Sequence, residues 1–470
     1  MSDSDIVKSL ASLYREHYSS SEVPDIAALP RAGGDRRYFR IVGDAGICVG
    51  TFTPDEEEGR SFVALSSAFG KAGASVPEVF ATSPDCRQYL QEDLGDSPLF
   101  SMLSSPEAPS LVRETLKRLV ALQTIPRSEW ADCCSMKPFS SRQVFWDLNY
   151  FKYGFLKPSS VVFNEERLED DFERLASDLS EIPQSFFGFM MRDCQSRNVM
   201  VTPRGPVFID FQGGRFGPAL YDAISFLWQA RAGFTPDFRS EMVRFYALEF
   251  CHGDRIKADE MLSYLPVLTL SRILQVLGAY GFRGLVEHRA HFILSIPAAL
   301  SNLGSLVEEG SLDSYPELRR VAAALSGDAR FVRNGPASRD TLKVEVFSFS
   351  YKKGYPDDFS GNGGGFMFDC RAIHNPGRYP QYAVLTGRDR PVAEFLERRG
   401  EVQGFLSSAW SLTDPAVERY LRRGFSNLQI GFGCTGGRHR SVYCAEATAA
   451  HIRELFPEAE VSVIHRETPA

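Results

Sequence analysis

Phe189-Met190-Met191-Arg192-Asp193-Cys194-Gln195-Ser196-Arg197-Asn198-Val199-Met200, followed shortly by Val207-Phe208-Ile209-Asp210-Phe211-Gln212, decides the reading of this chain. An apolar approach leads into a polar loop and a short strand. The Pro203-Arg204-Gly205-Pro206 turn then sends the chain back along a second apolar strand that ends in Asp210. Apolar runs joined by a Pro/Gly turn predict a β-hairpin with its polar residues gathered at one end. Phosphoryl transfer from ATP needs three groups together. One carboxylate accepts or orients the acceptor hydroxyl, a carboxamide holds Mg²⁺, and a second carboxylate holds Mg²⁺ against the phosphates. Asp193, Asn198 and Asp210 offer these in that order, the first two spaced D-x-x-x-x-N. That spacing alone also fits a hairpin with ordinary turn polars. The second strand ending in Ile-Asp-Phe tips the reading toward phosphotransfer.

The run resembles the aminoglycoside phosphotransferase and choline kinase family, whose α+β fold is protein-kinase-like and two-lobed. The resemblance implies a small-molecule kinase using ATP and Mg²⁺, with Asp193 as catalytic base and Asn198 and Asp210 as metal ligands. Where the family usually has His two residues before that base, this chain has Met191.

A chain of 470 residues exceeds one ordinary core and predicts two or three domains. With 43% hydrophobic and 24% charged residues, its composition is that of a globular protein. No run approaches the ~18–20 uninterrupted apolar residues of a membrane span. The acidic start Met1-Ser2-Asp3-Ser4-Asp5 lacks the basic and apolar regions of a signal peptide. Nine cysteines without a C-x-x-C pair fit a reduced, cytoplasmic protein. The formal charge of -8 lies before Asp340, where 36 basic residues face 44 acidic ones; from Asp340 onward each sign counts 16. Neither portion has the overall basic excess of a nucleic-acid domain.

Residues 4 to 17 read as an amphipathic helix. The segment Arg31 to Arg40, followed by apolar Ile47 to Phe52, predicts a hairpin whose turn glycines, Gly33 and Gly34, close over phosphates through backbone N–H groups. A kinase should place Lys on the next strand. Ile47 to Phe52 has none, and Gly50 holds its place. Arg36 or Arg37 stands as the substitute, against the plainer reading of a solvated surface pair. The Gly-Asp-x-x-x-Tyr-Phe-Arg-like pattern of this loop resembles the AmgK-like kinases of cell-wall sugars, which implies that the strand Lys is dispensable. Glu56-Glu57-Glu58 opens a helix that ends at Gly73. The strand end at Tyr89 to Asp96 resembles the hinge of these kinases, implying that the backbone of Glu92, Asp93 and Leu94 meets adenine.

From residue 108 to about 330 the pattern is mostly helical, with 3.6-residue periodicity in 111–122 and 165–179. Gly217-Pro218 predicts a Pro-started helix, and the resemblance makes Asp222 a brace for the catalytic loop. Arg272, Gln275 and Tyr280, on a helix unusually rich in polar groups, are acceptor-side candidates. The same residues equally suit a packed helix with satisfied polar groups. The kinase domain thus covers residues 1–328, with an N-lobe to about 95 and a helical C-lobe over about 96–328. Residues 329–340 have a linker's composition, and a separate α/β domain covers 341–470. There, helices are expected at about 391–409, 414–423 and 442–455.

Within that domain, strand Leu428 to Phe432 runs into Gly433-Cys434-Thr435-Gly436-Gly437-Arg438-His439-Arg440-Ser441 and a helix. A strand, glycine-rich loop and helix suit an anion. Two chemistries compete at this point. Cys434 and Arg440 satisfy C-x-x-x-x-x-R-Ser, the loop of cysteine phosphatases. The stretches 369–376, 385–392 and 433–442 together resemble the RapZ C-terminal domain. That resemblance implies binding of an amino-sugar phosphate, glucosamine-6-phosphate, and in some members contact with RNA or protein partners. By it, Arg371, Asn375, Thr435, Gly436, Gly437, His439, Arg440 and Ser441 line the pocket.

The joint reading is a cytoplasmic kinase of an amino sugar, N-acetylmuramate or N-acetylglucosamine, with a sugar-phosphate-binding domain and no membrane segment. A nucleotide-binding regulatory pseudokinase and a bifunctional kinase and cysteine phosphatase remain the alternatives.

Overall fold

The amphipathic run after Ser2 forms helix α1 (Asp3–Tyr18), started by a capping box between Ser2 and Asp5. The structure, a computed structural model, describes residues 2–30, 35–287, 289–328, 331, 341–356, 358 and 364–467. Ile6, Leu10 and Tyr14 of α1 are buried in one cluster with Phe39, Ile41, Cys48, Phe52 and Leu90 of an antiparallel sheet. The sheet has the order β1-β2-β3-β5-β4, with β1 (Asp25–Ala28), β2 (Arg37–Gly43), β3 (Gly46–Phe52), β4 (Val79–Thr82) and β5 (Gln88–Glu92). Gly33 and Gly34 fall in the β1–β2 connection and lie outside the described residues. The β2–β3 hairpin closes at Asp44-Ala45 instead.

Gly50 does not stand where a strand lysine would point. A β-carbon there would meet Ile41 Cδ1 at 2.8 Å and Leu10 Cδ1 at 3.0 Å, so its face is packed against α1. The opposite face of β3 carries Thr51, whose Oγ1 accepts from the Gln91 amide at 3.3 Å.

Asp55 caps helix α2 (Glu56–Lys71) by accepting from the N–H groups of Glu57 and Glu58. Phe62 of α2 stacks on Phe211, centroids 5.0 Å apart, and Phe69 meets Phe189 edge-on at 4.7 Å. The two motif segments are therefore clamped to α2 by aromatic contacts. Behind them lie helices α3 (Ala108–Gln123), α4 (Ser141–Phe151) and α5 (Glu165–Ser180).

The motif's hairpin is β7 (Val199–Thr202) with β8 (Gly205–Phe208), Thr202 pairing with Gly205 across the turn. The apolar approach, β6 (Phe187–Met190), pairs with β9 (Arg215–Pro218) rather than with β7. Pro218 ends β9 instead of opening the next helix, because α6 (Leu220–Leu227) begins only after Ala219. Helix α7 (Leu265–Tyr280) follows further on. With the turn after it, Leu265–Val286 is the one helical run among the described residues long and apolar enough to cross a membrane, and 56% of it is buried. Its Arg272 is ion-paired to Asp193, which suits a core helix.

Packing divides the chain into two compact units. The first holds Met1–Phe151, Val162–Val276 and Ser301–Ala323; the second holds Lys152–Val161, Leu277–Leu300 and Ala324–Ala470. The last stretch of the second unit begins at Ala324, and two inner segments go with it. Apart from Phe331, the expected linker 329–340 lies outside the described residues.

The C-terminal part is a parallel sheet in the order β11-β12-β10-β13, made of β10 (Lys343–Ser350), β11 (Gly365–Asp369), β12 (Asn427–Cys434) and β13 (Glu460–His465). Val344, Val346, Ile430 and Phe432 are buried in its core, as parallel strands covered by helices require. Helix α8 (Arg390–Glu397) stops before Gly400, which takes φ +74. Helix α9 (Glu401–Arg423) then runs straight through Pro415, so the helix break sits at Gly400 and not between 409 and 414. Helix α10 (Arg440–Leu455) starts two residues earlier than expected.

The packing at Gly50 is directly testable. Gly50→Val should cost about 1–3 kcal/mol of stability by overpacking, read as a lower urea midpoint. An unchanged midpoint would contradict the assignment of that face of β3 to the α1 core.

Candidate active site

At the end of β6 the chain must turn sharply, and buried hydrogen bonds hold it there. Asp222 of α6, fully buried, accepts from the N–H of Met191 at 2.6 Å and of Arg192 at 2.8 Å. The Gln123 amide adds a third bond at 3.1 Å, itself fixed by the Tyr246 hydroxyl at 2.6 Å. Burial pushes the Asp222 carboxyl up to about 7, against the lowering by these donors. Asp222 therefore takes the bracing position the sequence suggested for it. Met191, in place of a histidine, packs its side chain into the core. Arg192 and Asp210 both take left-handed backbone angles, φ +73 and +65, without being glycine. Such angles cost on the order of 1–3 kcal/mol each and persist where the surroundings enforce them.

The catalytic candidate Asp193 receives Arg272 from α7 at 3.0 Å and Arg197 at 3.3 Å, together with the Gln195 amide. Arg272 is buried and also donates to Gln275 Oε1 at 2.6 Å. Burial alone would push the Asp193 carboxyl up. Arg272, Arg197 and Gln195 outweigh it and hold the group below the usual carboxylate range. Asp193 is thus ionised at neutral pH, as a base must be. Of the acceptor-side candidates, Arg272 and Gln275 join this site. Tyr280 packs against Phe292, centroids 5.9 Å apart, within the second unit.

A single turn of 3₁₀ helix, Ser196–Asn198, carries the carboxamide. Asn198 Nδ2 donates to the Asp193 carbonyl at 2.9 Å and to Asp210 Oδ2 at 3.2 Å, while Ile209 N–H donates to the Asn198 carbonyl at 2.9 Å. Asn198 and Asp210 therefore lie side by side, with oxygens of the hard type that suits Mg²⁺ beside phosphate. Among the described residues no group of three or more His, Cys, Asp and Glu could hold a metal without such help. Arg36 extends its guanidinium onto Asp210 and lies 3.4 Å from Glu58 of α2. Gln212 bridges the same two carboxylates at 3.0 and 3.1 Å. Arg37 instead pairs with Asp3 at the surface. Of the two arginines, Arg36 is the one that reaches the acids of the cleft. A strand lysine's partner would be an acid on this helix, and Glu58 supplies it to an arginine from the preceding connection.

The hinge segment is less free than expected. The Glu92 N–H donates to the Glu78 carbonyl at 2.9 Å and its carboxylate pairs with Arg204. Asp93 binds Arg40 through both oxygens, at 2.6 and 3.1 Å, and also accepts from the Gly95 N–H at 2.9 Å. Leu94 lies between these fixed points.

In the C-terminal domain the glycine loop follows β12 beside the end of β10, where Ser350 Oγ donates to the Thr435 carbonyl at 2.7 Å. This is the carboxyl edge of a parallel sheet, the usual place for a ligand. Thr435 and Gly436 are exposed, and Gly437 turns at φ +66. Two arginines tie three sequence segments together. Arg440, buried, donates to the carbonyls of Arg371 and Ile373, both at 2.9 Å. Arg438 donates to those of Val384 and Leu385. His439 meets the Tyr382 carbonyl at 2.9 Å, and Asn375 caps its own turn at Gly377. Arg371 is clamped to Asp369 and lies over the Tyr351 ring. Cys434 Sγ accepts from Gly437 N–H and faces Ser441 Oγ, both at 3.2 Å. Burial would push this thiol up, yet Ser441, Arg440 and Gly437 hold it below its ordinary value. Both carbonyl bonds of Arg440 use Nη1, which holds the guanidinium against the Arg371 to Ile373 segment, while its Nε has no hydrogen-bond partner among the described residues.

Residues 25–257 match the family described as phosphotransferase enzyme family, and residues 342–469 match the RapZ C-terminal domain. This chain joins a phosphotransferase-family domain to a RapZ C-terminal domain. It is 41% identical over 131 residues to a nucleotide-binding protein of Xanthomonas axonopodis pv. citri (strain 306), covering 28% of this chain and 44% of that one. To a nucleotide-binding protein of Xanthomonas oryzae pv. oryzae (strain PXO99A) it is 40% identical over 190 residues, 38% of this chain and 62% of that one. The chain thus spans less than two thirds of either relative's length. Among solved structures, a choline kinase from Cryptosporidium parvum Iowa II aligns at 14% identity with a TM-score of 0.46, over 67% of this chain and 99% of that one. A choline/ethanolamine kinase family protein from Mesorhizobium loti aligns at 15% identity with a TM-score of 0.43, over 70% and 100%.

Within the phosphotransferase domain the sequence did not single out Glu58, Gln212, Asp147 or Arg215 as parts of the cleft. Glu58 carried a usable signal, an acid in the first turn of the helix after β3, hidden by the missing lysine. Asp147 and Arg215 carried none, since their neighbours are far apart in sequence. The arginine assignment gives a direct test. Arg36→Ala should raise the KM for nucleotide about 10- to 150-fold, the worth of one charged hydrogen bond. Arg37→Ala, losing the Asp3 pair and a contact with the Phe52 ring outside the cleft, should change it by less than about 3-fold. Equal effects of the two would contradict the assignment.

Proposed function

We propose that the phosphotransferase domain moves the γ-phosphoryl group of ATP, with Mg²⁺, to a hydroxyl of an amino sugar. N-acetylmuramate and N-acetylglucosamine are the preferred acceptors, at the anomeric hydroxyl, and the RapZ-type domain binds an amino-sugar phosphate. The single observation that carries the kinase reading is the convergence of Asp193, Asn198 and Asp210 in one cleft with Asp193 held ionised. The acceptor class rests on the attached RapZ-type domain and on the resemblance of the first loop to cell-wall sugar kinases.

In this reading Asp193 orients the acceptor hydroxyl and takes its proton. Asn198 and Asp210 would hold Mg²⁺, which when bound neutralises charge on the phosphates. Arg36, backed by Glu58, turns from Asp210 to the phosphates as the nucleotide enters. Arg272 keeps Asp193 ionised and correctly aimed. In the second domain, the exposed Thr435-Gly436 stretch and the start of α10 offer N–H groups to a phosphate. Arg440 contributes by holding the Arg371 to Ile373 segment against that loop.

ADP release from the purified chain with ATP, Mg²⁺ and a panel of amino sugars tests this. N-acetylmuramate or N-acetylglucosamine should stimulate it. Asp193→Asn should keep nucleotide binding and lose at least ~10²-fold in turnover, whereas Asp210→Asn should weaken both. Stimulation by no amino sugar, or full turnover in Asp193→Asn, would overturn the proposal.

A further inference from the structure

Beside the catalytic loop lies a cluster of arginines with too few partners. Arg192 extends from its left-handed backbone position onto the Asp147 carboxylate of α4. Arg272 lies over the Tyr221 ring, 5.8 Å from its centroid, and pairs with Asp193. Asp147 stands in the field of Arg192, Arg272 and a third guanidinium, Arg215 of β9. Arg215 is only 5% exposed. Its guanidinium donates to the Gly213 carbonyl at 3.3 Å, and its Nε has no hydrogen-bond partner among the described residues. Burial, reinforced by Arg192 beside it, pushes the Arg215 guanidinium down to about 10. The remaining buried acid nearby, Asp222, is engaged by the Met191 and Arg192 N–H groups and by Gln123.

A buried, unpaired guanidinium is costly, by several kcal/mol when nothing compensates it. A guanidinium fork matches the oxygens of a carboxylate or phosphate. Arg192 is the residue next to the base, and Arg272 binds the base itself. An anion held among these arginines would therefore belong to the same molecule whose hydroxyl meets Asp193.

We propose that Arg192 and Arg215, backed by Asp147, form a specificity site for a negatively charged substituent of the acceptor, a carboxylate or a phosphate. This rests on the kinase reading above and narrows it to anionic amino sugars. Arg192 and Arg215 select the acceptor, while Asp193 does the chemistry. A purely structural role for the cluster would instead lower turnover with every acceptor alike.

The experiment compares three acceptors on the full chain with ATP and Mg²⁺: N-acetylmuramate, carrying a carboxylate; N-acetylglucosamine 6-phosphate, carrying a phosphate; and uncharged N-acetylglucosamine. One of the anionic acceptors should exceed the uncharged one in kcat/KM by about 10- to 150-fold, the range for one charged hydrogen bond. Which of the two does so identifies the substituent. Arg215→Gln should erase that preference through KM, and Arg215→Lys should recover part of it. Equal use of the uncharged acceptor, or a preference that survives Arg215→Gln, overturns the inference while the kinase reading stands. Phosphorylation of none of the three overturns both.

Discussion

A carboxylate taken out of bulk water stays ionised only if something nearby replaces the lost hydration. The cleft of the phosphotransferase domain is built around that constraint. Asp193 is answered by Arg272 from a helix 79 residues away in sequence; Arg36 reaches Asp210 from 174 residues earlier, and Asp222, which burial pushes up to about 7, serves as a brace for two backbone N–H groups. Each pairing joins segments that hydrophobic packing alone would bring together only loosely. The aromatic contacts of α2 with Phe189 and Phe211 set the coarse position of the two motif segments. The charge pairs then fix their orientation, including two backbone angles that few non-glycine residues adopt.

The fold was legible where a local pattern states its own consequence. Apolar runs bounded by turn residues gave β3 and the β7–β8 hairpin, and helical periodicity gave α1, α2, α3 and α5 within a few residues. It was less legible where a tertiary choice overrides local grammar. Pro218 is a plausible helix opener, yet it ends a strand because β9 pairs with β6. Pro415 would be expected to break a helix, but α9 passes through it, and the break falls at Gly400, where a left-handed angle is needed. Gly50 was read as the vacancy of a lysine, whereas its pro-chiral face is filled by Leu10 and Ile41.

The site was legible through Asp193, Asn198 and Asp210, because their spacing is short and their residue types are dictated by the chemistry. Choosing Arg36 over Arg37 required knowing which face of the loop turns inward. Asp147 and Arg215 required the fold itself. In the RapZ-type domain the loop Cys434 to Ser441 stood out in the sequence by its glycines and charges, but the work of Arg440 did not. Sequence shows a charge near a glycine loop; only the structure shows it donating to the carbonyls of Arg371 and Ile373.

The most direct test of this account is the pH dependence of kcat/KM for the wild type and for Arg272→Gln. Arg272 is the largest of the charges holding the Asp193 carboxyl below its usual range, so its removal must raise that carboxyl's pKa. A base works only when deprotonated, so activity on acidification should then be lost sooner. The account predicts an acid limb displaced to higher pH in Arg272→Gln relative to the wild type. Coincident acid limbs in the two proteins would contradict it.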